Sequence, residues 1–152
     1  MKISEILDKS AIIADLAADN KTGVLQELAE AVAGSTQADG KAIAAVLRER
    51  ESLGSTGIGG GIAIPHGKLD AVGSVTVGFG LSKKGIEYDS LDDKPVHIFF
   101  LLLTPENSTG GHLKVLAQIS KLLKMDDFKD RLRQAGSVDE IYDIIMAQDE
   151  DF

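Results

Sequence analysis

Residues 96–103 read Val-His-Ile-Phe-Phe-Leu-Leu-Leu, and this stretch decides the fold class. Apolar side chains occupy nearly every position, so both faces of the strand need covering, as in a central strand between layers of helices. A second strand candidate, residues 75–81, alternates large and small side chains. These two segments predict a sheet whose centre is buried on both faces.

Helical patterns lie on both sides of the strands. The signals that mark them are the caps Asp19 or Asn20 with a stop at Gly34, the cap Asp39, the apolar period of residues 113–124, the cap Asp126 with an end at Gln134, and the capping box of residues 137–140. Helices before and after a cluster of strands predict an α/β sandwich, in which a central mixed β-sheet is flanked by helices.

The chain has 152 residues, of which 24 are acidic and 16 are basic, for a formal charge of −8. Nucleic acids and anionic membranes favour basic surfaces, so the composition disfavours both as partners. Residues 1–5 lack the apolar core of a signal peptide, and the longest apolar run, residues 98–103, is far shorter than the roughly 20 residues that span a bilayer. We expect a cytoplasmic protein in which residues 1–152 form one domain, with a frayed tail at residues 149–152.

Composition also limits the chemistry. Cysteine is absent, which excludes disulfides, thiolate nucleophiles and thiolate metal sites. The three histidines show no paired ligand spacing, so no zinc site is predicted. A P-loop is also excluded, because the glycine-rich stretch is one residue too long and Leu69 replaces the required hydroxyl residue.

Arg50 is the first candidate site residue. At about 100° per residue it falls in the middle of a helical stripe formed by Ile43, Val46, Leu47 and Leu53. Burying its charge alone is very costly. Arg50 therefore forms a structural ion pair, extends its stem outward, or faces a cavity where it meets an anion.

His112 is the second candidate. It lies in the first turn of a predicted helix, on the face that carries the apolar residues Val115 and Ile119. The positive end of the helix dipole lowers the pKa of an imidazole there and favours a nearby anion. Two interpretations stay open: a core histidine satisfied by its neighbours, and a member of an anion site.

His66 is the third candidate, within Gly-Ile-Ala-Ile-Pro-His-Gly at residues 61–67. Pro65 restricts Ile64 to extended geometry, and Gly67 removes bulk beside the imidazole, so a partner can approach closely. The pattern favours a histidine displayed rigidly at a strand end, although a turn histidine without a role has the same local sequence.

Together the three candidates suit an anionic group carried on His66. A histidine can itself act as a nucleophile. Arg50 would neutralise charge on the group, while backbone N–H groups and His112 would donate hydrogen bonds to it. Phosphate is the obvious anion.

The sequence resembles the enzyme IIA components of the bacterial phosphotransferase system, in the mannitol/fructose and nitrogen-related class. The matching residues are Arg50-Glu51, residues 54–59 (Gly-Ser-Thr-Gly-Ile-Gly), residues 61–67 and His112-Leu113, and the resemblance runs nearly end to end. It implies a mixed sheet flanked by helices, and neither a metal nor an organic cofactor.

The resemblance also implies a mechanism. His66 would accept a phosphoryl group from the histidine-containing phosphocarrier protein HPr, or a paralogue, in a relay that starts at phosphoenolpyruvate. Arg50 and His112 match the positions that surround the phosphohistidine, and Ser55 and Thr56 are further candidates for contact with the phosphate. His66 must attack as neutral imidazole, with its other ring nitrogen held by an acceptor.

Residues 54–68 look closest to the nitrogen-related branch, whose members regulate partner proteins according to their phosphorylation state. The alternative is a sugar-specific, fructose- or mannitol-type enzyme IIA that passes phosphate to a separate IIB/IIC permease. The two differ in whether a IIB protein drains the phosphate or phosphorylation switches the affinity for a target protein.

Overall fold

The sheet is built around the apolar run, which forms strand β6 (Val96–Thr104). The structure is a computed structural model, and it describes residues 2–149. The other strands are β1 (Leu7–Ile13), β2 (Gly57–Gly59), β3 (Ile62–Ala63), β4 (His66–Lys68) and β5 (Thr76–Ile86). Their order in the sheet is β1-β5-β6-β3-β2, and β4 also pairs with β6.

The sheet is mixed, as predicted. Strand β6 is antiparallel to β5 and parallel to both β3 and β4. Strand β1 is parallel to β5, and β2 is antiparallel to β3. Because β3 and β4 both lie beside β6, the chain between them stays in the sheet and carries His66 to the carboxyl end of β6, opposite Leu102.

Helices cover both faces of the sheet. They are α1 (Ile3–Ile6), α2 (Lys21–Ala33), α3 (Gly40–Ser52), α4 (Thr109–Leu122), α5 (Asp126–Gln134) and α6 (Val138–Asp149). Helices α2 and α3 bury one hydrophobic cluster against the sheet, and α1, α4, α5 and α6 bury a second one on the other face. Within residues 2–149, no helix has both the length and the apolar character needed to cross a bilayer.

Strands β5 and β6 show why the two faces differ. Successive side chains of β6 alternate between the clusters, with Phe99 facing α2 and α3 and Phe100 facing the other helices. On β5, Val77, Phe79 and Leu81 face the second cluster, while Gly78 and Gly80 lie under α2. A Cβ at Gly78 would be 2.6 Å from Val32 Cγ2, so the small residues set how closely the helix packs.

Most predicted helix boundaries hold within one residue, but α4 begins at Thr109, four residues before the predicted segment 113–124, and ends two residues before that segment does. Asn20 caps α2 by accepting a hydrogen bond from Gly23 N at 2.8 Å, and Ser137 Oγ accepts one from Glu140 N at 3.1 Å. The prediction that Asp126 is a cap is wrong by one residue, because Met125 stands at that position and Asp126 begins the helix. Asp149 ends α6, and the rest of the predicted frayed tail lies outside the described residues.

Candidate functional site

His66 is the first residue of β4, and its ring is held in one orientation by the backbone. Its Nδ1 lies 2.8 Å from the carbonyl oxygen of Ile64. A carbonyl oxygen only accepts, so Nδ1 carries the proton and Nε2 keeps its lone pair. Pro65 holds Ile64 in extended geometry, and the hydrogen bond between the two groups fixes the ring with Nε2 unprotonated.

The surroundings of His66 favour its neutral form. Burial lowers the pKa of His66 below its ordinary value of 6.5, and the positive charge of Arg50 lowers it further. The hydrogen bond to Ile64 and the negative charge of Glu51 act in the opposite direction on this pKa, with less effect than burial. His66 is therefore an uncharged imidazole near neutral pH.

His112 lies beside His66. It is in the first turn of α4, as predicted, and is only 6% exposed. The centroids of the two imidazole rings are 5.3 Å apart, with the rings inclined at 60°. His112 Nδ1 lies 2.8 Å from Thr104 Oγ1, so the ring is also fixed by a partner on the last residue of β6.

The pKa of His112 is lowered to about 4, chiefly by burial. The charges of His66 and Lys68 add smaller effects in the same direction. The sequence pointed to the helix dipole as the cause, but desolvation of the buried ring dominates. His112 therefore faces its neighbour as a neutral group that donates and accepts hydrogen bonds.

Arg50 lies in the last turn of α3 and is partly buried. Its Nη1 donates to the carbonyl oxygen of Gly54 at 2.9 Å, and within the described residues no carboxylate forms an ion pair with it. The guanidinium thus keeps its charge available toward His66. The prediction that Leu53 extends the apolar stripe is wrong: the helix ends at Ser52, and Leu53 is 82% exposed.

Ser55 and Thr56 lie near the site, but their hydroxyl protons are used within the protein. Ser55 Oγ donates to the carbonyl oxygen of Tyr88 at 3.0 Å. The hydroxyl of Thr56 donates to the carboxylate of Glu51. These contacts leave neither hydroxyl proton for a bound phosphate.

Lys68 lies at the candidate site, and the sequence interpretation missed it. Its Nζ donates to Thr109 Oγ1 at 2.9 Å, at the first residue of α4, so a cation stands beside the helix N-terminus that begins near His112. Alternation along β4 could have revealed it, because residues two apart on a strand share a face with each other. Lys68 therefore lies on the face of β4 that presents His66.

His97, the third histidine, does not join this site. It is near the opposite end of β6 from Thr104, and its Nδ1 donates to the carbonyl oxygen of Ser82 at 2.9 Å. This contact gives His97 a structural role between β5 and β6. Within the described part of the chain, no three His, Asp or Glu side chains converge as a metal ion would require.

The assembled site can bind an anion beside a nucleophilic nitrogen. Arg50 and Lys68 provide positive charge, His112 provides a neutral polar ring, and His66 provides the Nε2 lone pair. Transfer of a phosphoryl group requires a nucleophile held in position and charged hydrogen-bond donors around it.

Comparison with known proteins identifies similar chains. A family model described as "Phosphoenolpyruvate-dependent sugar phosphotransferase system, EIIA 2" matches residues 5–148. A nitrogen regulatory protein of Bradyrhizobium diazoefficiens is 38% identical over 145 residues, which are 95% of either chain. The fructose-specific EIIABC component of Bacillus subtilis is 39% identical over 151 residues, which are 98% of this chain and 24% of that protein.

Among solved structures, the nitrogen regulatory protein IIA-Ntr of Neisseria meningitidis matches with a TM-score of 0.88 and 34% identity. The match covers 94% of this chain and 98% of that one. The predicted fold and the resemblance noted from the sequence are therefore both confirmed.

Proposed function

The chain belongs to the EIIA 2 family of the phosphoenolpyruvate-dependent sugar phosphotransferase system, and we propose that it carries a phosphoryl group on Nε2 of His66 as a nitrogen-regulatory IIA protein. The observation that carries the proposal is the orientation of His66. Its Nδ1 donates a hydrogen bond to the Ile64 carbonyl oxygen, which leaves Nε2 as the nitrogen with a free lone pair. The ring lies next to His112, and the positive charge of Arg50 lowers its pKa.

In the proposed step, the Nε2 lone pair of His66 attacks the phosphorus of a phosphohistidine on the donor, HPr or a paralogue. The new N–P bond forms as the donor's N–P bond breaks, and that electron pair returns to the donor's imidazole. His66 keeps its Nδ1 proton, because the Ile64 carbonyl accepts it throughout. The protein contributes positioning of the nitrogen and stabilisation of charge on the moving group.

Arg50 and His112 have different roles in this proposal. The guanidinium of Arg50 balances the negative charge of the phosphoryl oxygens. His112, whose pKa is about 4, supplies a hydrogen bond without adding a further positive charge to those of Arg50 and Lys68. Because His112 is neutral, it adds no charge that would bind the phosphoryl group of His66 more tightly. The group can therefore pass to an acceptor or stay on His66 as a signal.

The test is phosphoryl transfer from phosphoenolpyruvate through enzyme I and a phosphocarrier, read by intact mass at neutral or alkaline pH, which spares an acid-labile phosphohistidine. We expect the wild type to gain one phosphoryl group and His66→Ala to gain none. Arg50→Ala should fold and accept the group about 10²-fold more slowly, because it loses the charge that stabilises the transition state. Arg48→Ala, on the exposed side of the same helix, is the matched control and should keep the wild-type rate.

Two results would contradict the proposal. A folded wild type that takes no phosphate from phosphocarriers of either branch would exclude the relay and favour a binding module. Unfolding of Arg50→Ala would show that this arginine serves the fold instead of the transfer.

A sugar-specific function is the second candidate. It is supported by the 39% identity to a relative named as a fructose-specific EIIABC component. Incubating the phosphorylated protein with candidate IIB proteins separates the two functions. Rapid loss of the phosphoryl group to one of them would favour the sugar-specific role, and its retention would favour the regulatory one.

A further inference from the structure

A series of hydrogen bonds connects the side chain of Glu51 to the imidazole of His66. Glu51 Oε1 accepts from Thr56 N at 3.1 Å, and the other carboxylate oxygen accepts from the Thr56 hydroxyl. The Thr56 carbonyl oxygen accepts from Ile64 N at 3.1 Å, and the Ile64 carbonyl oxygen accepts from His66 Nδ1 at 2.8 Å. The carboxylate is thus linked to the ring through two backbone segments.

Glu51 is buried although it is a carboxylate. Its side chain is 6% exposed, and Lys21 Nζ, from the start of α2, lies 3.0 Å from Oε1. Removing a carboxylate from water is costly unless ion pairs and hydrogen bonds compensate for its lost hydration. Three donors, one from Lys21 and two from Thr56, meet this requirement.

Tyr88 closes the network from the other side. Its hydroxyl oxygen lies 3.2 Å from Thr56 Oγ1. Because the single hydroxyl proton of Thr56 goes to the carboxylate, Tyr88 is the donor in this contact. Burial, followed by the negative charge of Glu51, raises the pKa of Tyr88, so the phenol keeps that proton. The ammonium of Lys21 also lies over the Tyr88 ring, 4.6 Å from its centroid.

We propose that Glu51 is a positioning residue, which holds the loop of residues 54–56 so that the Ile64 carbonyl fixes the His66 ring with Nε2 free. Arg50 is anchored to the same loop, through the carbonyl oxygen of Gly54. One buried carboxylate therefore sets the placement of both the nucleophile and its neighbouring cation. The expected effect of Glu51 on the transfer rate rests on the proposed phosphoryl transfer to His66.

The test compares Glu51→Gln with Glu49→Gln, a matched control at an exposed position of the same helix. The amide keeps the size of the side chain but removes the charge that binds Lys21 and Thr56. We expect phosphoryl transfer to His66 in Glu51→Gln to slow about 10- to 100-fold under single-turnover conditions, because a displaced reacting atom costs rate steeply. The control should react at the wild-type rate.

A second readout uses the unphosphorylated protein. Nitrogen-15 NMR of the His66 ring should show the Nδ1–H tautomer in the wild type and the control, and a mixture of tautomers in Glu51→Gln. The pKa of His66 should also fall in the variant, because the negative charge of Glu51 raises it in the wild type. A role confined to stability would leave the tautomer of the folded variant unchanged.

The outcomes separate the two proposals. A folded Glu51→Gln with either a wild-type rate or an unchanged tautomer would overturn the positioning role. If that variant does not fold, Thr56→Val is used, which deletes the hydroxyl but keeps the peptide N–H. Thr56→Val should show a smaller loss of transfer rate and a smaller loss of the Nδ1–H tautomer of His66. A wild-type rate and tautomer in this variant would overturn the inference. A third result is a wild type that accepts no phosphoryl group while Glu51→Gln still loses the Nδ1–H tautomer of His66. That result would contradict the proposed phosphoryl transfer but not the positioning role of Glu51.

Discussion

Burial keeps both imidazoles of the site neutral. The pKa values of His66 and His112 are lowered mainly by loss of hydration, and each ring is fixed by a hydrogen bond to an oxygen of the chain. Two protonated rings with centroids 5.3 Å apart would repel each other, which penalises double protonation. Near neutral pH, the site therefore combines a free nitrogen lone pair with the permanent charge of Arg50.

Among the individual residues, we expect His112 to make the protein less stable in acid. Its pKa is about 4 in the folded state, against about 6.5 in an unfolded chain. Between these values the unfolded state binds more protons, so stability is full above about pH 6.5 and falls as the pH falls toward 4. The loss from this one group is on the order of 3 kcal/mol at pH 4.

Urea unfolding of the wild type and His112→Gln at several pH values checks this expectation. The stability of the variant relative to the wild type should improve steadily from pH 7 to pH 4, because glutamine does not titrate. Comparing the two proteins at each pH cancels the contribution of the carboxylates. Curves that run parallel across the range would show that His112 does not carry this pH dependence.

At the scale of elements, the contact between α2 and β5 depends on the absence of side chains. Gly78 and Gly80 leave room for Val32 and Leu28 of the helix, while the alternating large residues at positions 77, 79 and 81 fill the opposite face. The large-small alternation visible in the sequence thus sets a short distance between helix and sheet. A methyl group added at Gly78 or Gly80 would clash with side chains of a close-packed core.

Gly78→Ala should therefore destabilise the fold by about 1–3 kcal/mol, because its Cβ would meet Val32 Cγ2 at 2.6 Å. The free energy of unfolding from urea titration measures this cost. Val32→Ala should recover part of it in the double variant, since the two sites are in contact. Gly34→Ala is the control: a Cβ there would have only an ordinary contact of 3.5 Å with Ala31 O, and we expect little change.

At the scale of the whole molecule, exposed leucines adjoin two site residues. Leu53 is 82% exposed and follows the turn that carries Arg50, and Leu113 is 60% exposed and follows His112. Large apolar side chains left in solvent beside a site that is proposed to receive a group from another protein are typical of an interface core. We expect them to contact the phosphodonor.

The double variant Leu53→Ser, Leu113→Ser should raise the apparent KM for the phosphocarrier about tenfold, with kcat and stability nearly unchanged. Initial transfer rates at varied donor concentration measure this effect. Met125→Ser is the control, because Met125 is 41% exposed but lies beyond the far end of α4, which extends about 15 Å from His112 to Leu122. An unchanged KM in the double variant, or the same rise in the control, would contradict the expectation.

The features that the sequence determined by itself are those carried by neighbouring residues. The apolar run of β6, the large-small alternation of β5, the cap at Asn20 and the inward face of His112 are all visible locally and are present in the structure. Strand and helix periods depend on steric constraints within a few residues, so a single sequence displays them. The resemblance to the family also depended on short local stretches, namely residues 50–51, 54–59, 61–67 and 112–113.

The tertiary structure alone decided the relations between distant residues. The contact between His66 and His112, the burial of Glu51 against Lys21 and Thr56, and the exposure of Leu53 each depend on which elements meet. Glu51 lies within a polar local sequence, and its burial follows from the approach of α2 to the end of α3. A local pattern reports which face of an element is apolar, but the partner of each polar group is chosen by packing between segments far apart in the chain.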